Sequence, residues 1–165
     1  MAPAPKKTVL QSEPFDDIII IGISAAHTDF VMAWHLNARL GLRLVKKENL
    51  RFNDQKASEV LSFYYYNQGE NASVFNLIML NKTIVGLTKL PQSTDYMLIL
   101  RNNVTSLPLD QIRRNIRSIP GVVLSYVIEW QKFKALDSLL EQIDLHELSI
   151  ERNEQILHRR LRALS

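Results

Sequence analysis

Four consecutive isoleucines, Ile18 to Ile21, followed at once by a stretch of helical pattern, constrain the fold of this chain more than any other feature. A β-branched side chain at every position suits a strand buried on both faces better than one with a solvated side. The segment from Asp17 to Asn49 therefore reads as strand, helix, strand. The helix is expected from about Ala25 to Leu40, with Ser24 or Thr28 as N-cap, Asp29 in the first turn and Gly41 as the stop. Phe30, Ala33, Trp34 and Leu40, with Val31 beside them, fall near one face at three-to-four spacing. They are expected to pack on the sheet, with His27, His35 and Arg39 pointing elsewhere.

Residues 1 to 14 hold three of the six prolines and little that can pack, the pattern of a flexible N-terminal arm. After the first helix, Leu42 and Leu44, with Leu50 and Phe52, suggest a second strand interrupted by the charged run Lys46-Lys47-Glu48. VLSFYYYNQ and SVFNLIMLN read as an antiparallel hairpin joined through Gln68-Gly69-Glu70-Asn71, and Thr83 to Leu87 as a further short strand. A strand over Tyr96 to Arg101 leads to a second helix at about Leu109 to Ser118, started by Pro108 and stopped by Pro120-Gly121, and then to the strand VVLSYVIEW. Residues 15 to 130 thus predict a single α+β domain. Its mainly antiparallel sheet carries two crossover helices on one face, in the manner of a ferredoxin-like or ACT-like sandwich.

Residues 131 to 165 form a C-terminal helical extension in this reading, free of Gly and Pro from Lys132 onward. Leu136, Ile143, Ile150, Leu157 and Leu164 recur every seven residues, one half of a coiled-coil seam. The other half has Leu140 and Leu161 at its ends and Glu147 and Glu154 between them. Such a stripe needs a partner surface, and two are open: its own domain, or a second chain in a homodimer contact through these leucines and isoleucines.

At 165 residues the chain is the size of one ordinary domain. A net charge of +3 from 20 basic and 17 acidic residues is scattered rather than gathered, a weak pointer to nucleic acid. The absence of cysteine removes disulfides, thiolate nucleophiles and Cys-based zinc sites, and fits a reducing cytoplasm. No apolar run reaches the length that spans a bilayer, so no membrane role is expected.

Candidate chemistry is sparse. Gly22-Ile-Ser24-Ala-Ala26 has the placement of a nucleophile elbow but lacks its final glycine, and a helix-capping role for Ser24 outweighs catalysis. His27, Asp29 and His35 offer metal-ligand types, but residues 27 and 35 lie two helical turns apart, roughly 12 Å along the axis. Tyr64, Tyr65 and Tyr66 could stack on bases, with Arg101, Arg113, Arg114 and Arg117 supplying phosphate contacts, although no nucleic-acid signature sequence accompanies them. His35, Asp95 and Tyr96 are weak binding candidates; a deep pocket lined by them would argue for an enzyme. No catalytic residue, metal or cofactor is assigned.

HTDFVMAWHLNARLGLRLVKKENLRF resembles the early region of the small bacterial proteins of the IPExxxVDY family. The resemblance lies in Asp29-Phe30, Met32-Ala33-Trp34, Leu36-Asn37 and Leu40-Gly41-Leu42. The naming motif falls at Leu90 to Tyr96, LPQSTDY, where Pro91 and Asp95-Tyr96 are kept and Leu90, Gln92 and Thr94 replace Ile, Glu and Val. The resemblance covers residues 15 to 130 and implies a cytoplasmic single domain with no assigned activity. The expectation is therefore a non-enzymatic domain that self-associates or binds a protein partner. An RNA-associated protein and a small-ligand regulatory domain are the alternatives.

Overall fold

The computed structural model describes residues 17–55 and 57–164; the proposed arm at residues 1 to 14 lies outside them. Strand β1 (Ile18–Ala25) is the inner ladder of a six-stranded antiparallel sheet ordered β2-β5-β6-β7-β1-β8. The other members are β2 (Val45–Lys46), β5 (Phe63–Asn67), β6 (Val74–Met79), β7 (Tyr96–Arg101) and β8 (Val122–Ile128). A separate hairpin pairs β3 (Leu50–Asp54) with β4 (Ala57–Leu61). Helix α1 (Asp29–Leu40) follows β1, α2 (Lys82–Thr88) follows β6, α3 (Leu109–Arg117) joins β7 to β8, and α4 (Lys134–Ala163) closes the chain. Because β7 and β8 each run antiparallel to β1, they are parallel to one another, and α3 is a crossover that passes over β1.

The isoleucine run is buried on both faces, as its composition requires. Ile21 and Ile23 point to one side, where Leu77, Tyr96 and Leu98 meet Met32, Ala33 and Leu36 of α1 and Ile112 and Ile116 of α3. Ile18 and Ile20 point to the other, where Met97, Ile99 and Ile128 meet the β3–β4 hairpin, α2 and the first half of α4. Each such side chain removed from water contributes about 1.5–3 kcal/mol. The two crossover helices share one face of the sheet, and α4 lies on the opposite one.

Several local expectations are corrected. Residues 83 to 87 are helical, not a strand. Asn81 accepts a hydrogen bond from the Ile84 amide at 2.9 Å as N-cap, and Ile84, Val85 and Thr88 fall on one buried helical face despite their β-branched side chains. VLSFYYYNQ divides at Ser62: residues up to Leu61 pair with β3, and those from Phe63 pair with β6. Helix α1 starts at Asp29, after β1 has run through Ala25, so Ser24 is a strand residue and Thr28 holds the N-cap position without a side-chain cap bond.

The helix phase of α1 is also corrected. Phe30 and Trp34, expected on the sheet, are 66% and 65% exposed, and the buried face is Met32, Ala33 and Leu36. Those three, at i, i+1 and i+4, make a narrower stripe than the aromatic one and sit flush on the sheet.

Candidate functional site

Helix α4 changes character along its length. Leu136, Leu139, Leu140 and Ile143 are 0–2% exposed and complete the core beneath the sheet. Gln142 holds the hairpin in both directions, accepting from the Asn53 amide at 2.9 Å and donating to its carbonyl at 3.0 Å. His146 bonds the Glu48 carbonyl at 2.7 Å and meets the Phe63 ring edge-on at 4.8 Å. Tyr65 donates to Glu151 at 3.0 Å, and Lys47 pairs with Glu154 at 2.6 Å.

From Arg152 to Leu164 every residue is exposed. The seven-residue seam nevertheless continues through Leu157, Leu161 and Leu164, at 57%, 55% and 83% exposure. The candidates Leu136, Leu140, Ile143 and Ile150 thus face their own sheet, and Leu157, Leu161 and Leu164 face no described residue closely enough to be covered.

Charge follows the same division. Asp137, Glu141, Asp144, Glu147, Glu151 and Glu154 all precede residue 155, with Lys134 and Arg152 among them, and Arg159, Arg160 and Arg162 follow it. This distribution suits the helix macrodipole.

The glutamate that interrupts the seam anchors the inner half. Glu147, 8% exposed, pairs with Arg101 from the end of β7, and Arg101 also pairs with Asp144 and donates to Asn76 Oδ1 at 3.2 Å. Burial raises the pKa of Glu147 against the opposing pull of Arg101, and burial likewise raises that of Asp144. Burial pushes the Tyr65 hydroxyl, next in the row, up to about 12.

Arg101 therefore points into the α4 interface, whereas Arg113, Arg114 and Arg117 sit on α3 across the sheet, so the four arginines proposed as one phosphate-binding set are not brought together. The tyrosine triplet is likewise divided. Tyr64 packs with the α1 face and Tyr65 with the α4 face, while Tyr66 stacks on Phe75 with centroids 6.1 Å apart.

His35, Asp95 and Tyr96 all lie at the corner where β1 gives way to α1. The Asp95 carboxylate accepts the Ala25 amide at 2.8 Å, and the fully buried Tyr96 donates its hydroxyl to the His27 carbonyl. Burial, reinforced by Asp29 and Asp95, raises the Tyr96 pKa well above the ordinary phenol range. These two residues clamp the chain as it leaves the sheet, a structural task that occupies both side chains.

Residues 27 and 35 are closer than helical spacing suggests, because His27 precedes the helix and folds back, leaving the two rings 4.9 Å apart. His27 Nε2 donates to the Pro120 carbonyl at 2.5 Å, and burial together with His27 lowers the His35 pKa. Among the described residues no group of three or more His, Cys, Asp and Glu is placed to hold a metal ion. Nearby, the Ser62 hydroxyl donates to Asp29 at 2.5 Å and is the chief cause of that carboxyl's lowered pKa. This bond points the Ser62 proton at a carboxylate held low, with no imidazole in the bond, so it does not build an activated nucleophile.

The surface residues that the sequence pattern concealed are Phe30 and Trp34, adjacent on one face of α1. Large exposed aromatics at i and i+4 are the residue types that anchor protein interfaces. An available signal was the competing stripe Met32, Ala33, Leu36, which fills the same number of turns with smaller groups. In comparisons with known proteins, no family model, no curated protein and no solved structure matches this chain.

Proposed function

We propose that this chain is a non-enzymatic α+β module that self-associates through the distal half of α4, with Phe30 and Trp34 as the contact for a protein partner. The observation that carries the reading is the seven-residue stripe Leu136, Ile143, Ile150, Leu157 and Leu164 of α4, buried as far as Ile150 and then exposed at Leu157 and Leu164, with Leu161 beside them. A solvated helix end has no need of leucine at seven-residue spacing, and a second copy of the same leucine stripe is the occupant that this repeat fits.

The four adjacent strands β8-β1-β7-β6, with crossovers α1 and α3, support a ferredoxin-like or ACT-like reading of the core, into which β2 to β5 are inserted. The resemblance to the IPExxxVDY family belongs to the same proposal. It is supported by the structural work of its Asp95-Tyr96 pair at the β1–α1 corner. A cytoplasmic setting rests on the absence of cysteine, and no helix among the described residues is long and apolar enough to cross a membrane. The RNA-associated reading keeps only Arg113, Arg114 and Arg117 as a local group, since Arg101 serves α4.

The test is the mass in solution over a wide concentration range, for the full chain and for the double substitution Leu157→Glu and Leu161→Glu. A dimer is expected for the first and a monomer for the second, with unchanged helix content. A wild-type chain that stays monomeric throughout removes the self-association reading, and a variant that stays dimeric removes α4 as its surface.

A further inference from the structure

A cleft of about 660 Å³ opens between α2 and the loop that leads to β7. One wall is a single face of α2: Lys82, Val85, Gly86 and Lys89, at i, i+3, i+4 and i+7. The other wall is Leu90, Gln92 and Ser93. Val85 and Leu90 are 5% exposed and make an apolar floor, and the polar groups stand around it. The volume lies within the ~300–1,000 Å³ typical of small-molecule sites. Among the described residues neither lysine ammonium is in an ion pair, and the Gln92 and Ser93 side chains take part in no hydrogen bond.

Two residues of this wall occupy positions that contradict local preference. Gly86 lies in the interior of α2, where glycine is disfavoured relative to alanine, yet a Cβ there would meet nothing within 4 Å. Packing therefore gives no reason for the glycine. Lys89, three residues on, ends the helix at φ 56°, the left-handed conformation for which glycine is the favoured residue. The sequence places glycine where the backbone does not need it and lysine where the backbone resists it. Exchanging the two would favour the helix, but it would narrow the cleft in its middle and move a cation away from its end. Local rules broken without a gain in packing mark positions kept for another purpose.

We propose that this cleft binds a small organic dianion, an elongated molecule with an apolar middle and an acidic group towards each end. The middle lies over Gly86, Val85 and Leu90, where the missing side chain allows it to approach the helix backbone. The acidic ends are met by Lys82 and Lys89, seven residues and so roughly 10 Å apart along the helix axis, and Gln92 and Ser93 supply neutral hydrogen bonds from the opposite wall. This site is independent of the self-association surface, because its lining comes from α2 and its following loop.

The test is calorimetric titration of the full chain with straight-chain dicarboxylates from succinate to suberate at constant ionic strength, with octanoate and inorganic phosphate as comparisons. Saturable binding is expected to strengthen with chain length up to suberate, and octanoate and phosphate are expected to bind about tenfold more weakly or not at all. Lys82→Ala and Lys89→Gly should each weaken suberate about tenfold. Gly86→Leu should abolish binding. Lys89→Gly and Gly86→Leu should melt no lower than the parent, which separates loss of the site from loss of the fold. No saturable binding of any diacid in the millimolar range overturns the proposal, as does octanoate binding as well as suberate, or suberate binding unchanged by all three substitutions.

Discussion

The ring of Tyr126 on β8 lies directly across Gly22 of β1, so near that a Cβ at position 22 would come within 2.7 Å of its Cζ. The ring cannot swing aside freely, because its hydroxyl is hydrogen-bonded at 2.5 Å to Thr94, itself 3% exposed. Gly22→Ala is therefore expected to destabilise the fold by about 1–3 kcal/mol through overpacking. In a Tyr126→Ala background the same change should be neutral or stabilising, since glycine in a strand interior costs about 0.5–1 kcal/mol relative to alanine. Urea denaturation of the four chains of this cycle measures the coupling, and additive effects would contradict the contact.

Helix α4 offers a contrast within one repeat. Ile143, 1% exposed, and Leu157, 57% exposed, stand two heptads apart on the same seam. Ile143→Ala should cost about 2–5 kcal/mol, as for other large-to-small changes in a core, whereas Leu157→Ala should stay within about 0.5 kcal/mol for the isolated protomer. The same division governs truncation. Removal of residues 132 to 165 takes Leu136, Leu139 and Leu140 out of the core and should unfold the domain, whereas removal of residues 155 to 165 should leave a folded protein with a cooperative thermal transition.

The buried carboxyl of Glu147 gives the stability a distinct pH dependence. Its pKa is raised in the folded protein by burial, so the folded chain binds more protons than the unfolded one above the ordinary glutamate value of 4.5. The contribution of this group is full below that value and is lost as pH rises through the folded pKa. Relative to Glu147→Gln, the wild-type protein should thus lose stability on going from about pH 4 to pH 7. Urea midpoints of both chains across that range report the difference, and a relative gain by the wild type would show that Arg101 outweighs burial.

The two tryptophans report opposite environments. Trp34 is 65% exposed, while Trp130 is 9% exposed and donates its indole N–H to the Ile18 carbonyl at 3.4 Å. In Trp34→Phe the remaining emission should be blue-shifted and resist acrylamide. In Trp130→Phe the remaining Trp34 should be quenched almost as readily as free indole at low protein concentration. Protection of Trp34 that grows with concentration would move the contact between copies from α4 to α1.

Much of the architecture was legible because it rests on local pattern. The isoleucine ribbon, Gly41 at φ 66° ending α1, the stop at Pro120-Gly121 and the apolar strand over Tyr96 to Arg101 each announce their element without help from distant residues. The failures share a cause in tertiary context. The β-branched run of α2 favours a strand until Asn81 caps it and the core takes up Ile84 and Thr88. The aromatic stripe of α1 outweighs Met32 and Leu36 in hydrophobicity alone, and only the sheet decides which stripe is buried. VLSFYYYNQ divides at Ser62 because its two parts pair with different strands, β3 and β6, and Ser62 itself bonds Asp29, thirty-three residues earlier. Glu147 was visible as a defect in a heptad, but its partner Arg101 lies forty-six residues away on a strand whose side chain could face either layer.

With thirty residues at 1.5 Å each, α4 is a rod of roughly 45 Å, gripped along one part and bare along the rest. Whatever takes hold of the bare part is set at a fixed bearing to the sheet, because no hinge separates the two stretches. An insertion ahead of residue 155 would turn the outer leucines by about 100° per added residue and re-aim them without disturbing the folded body. Geometry of attachment is thereby written in whole turns of this rod rather than in the slack of a linker.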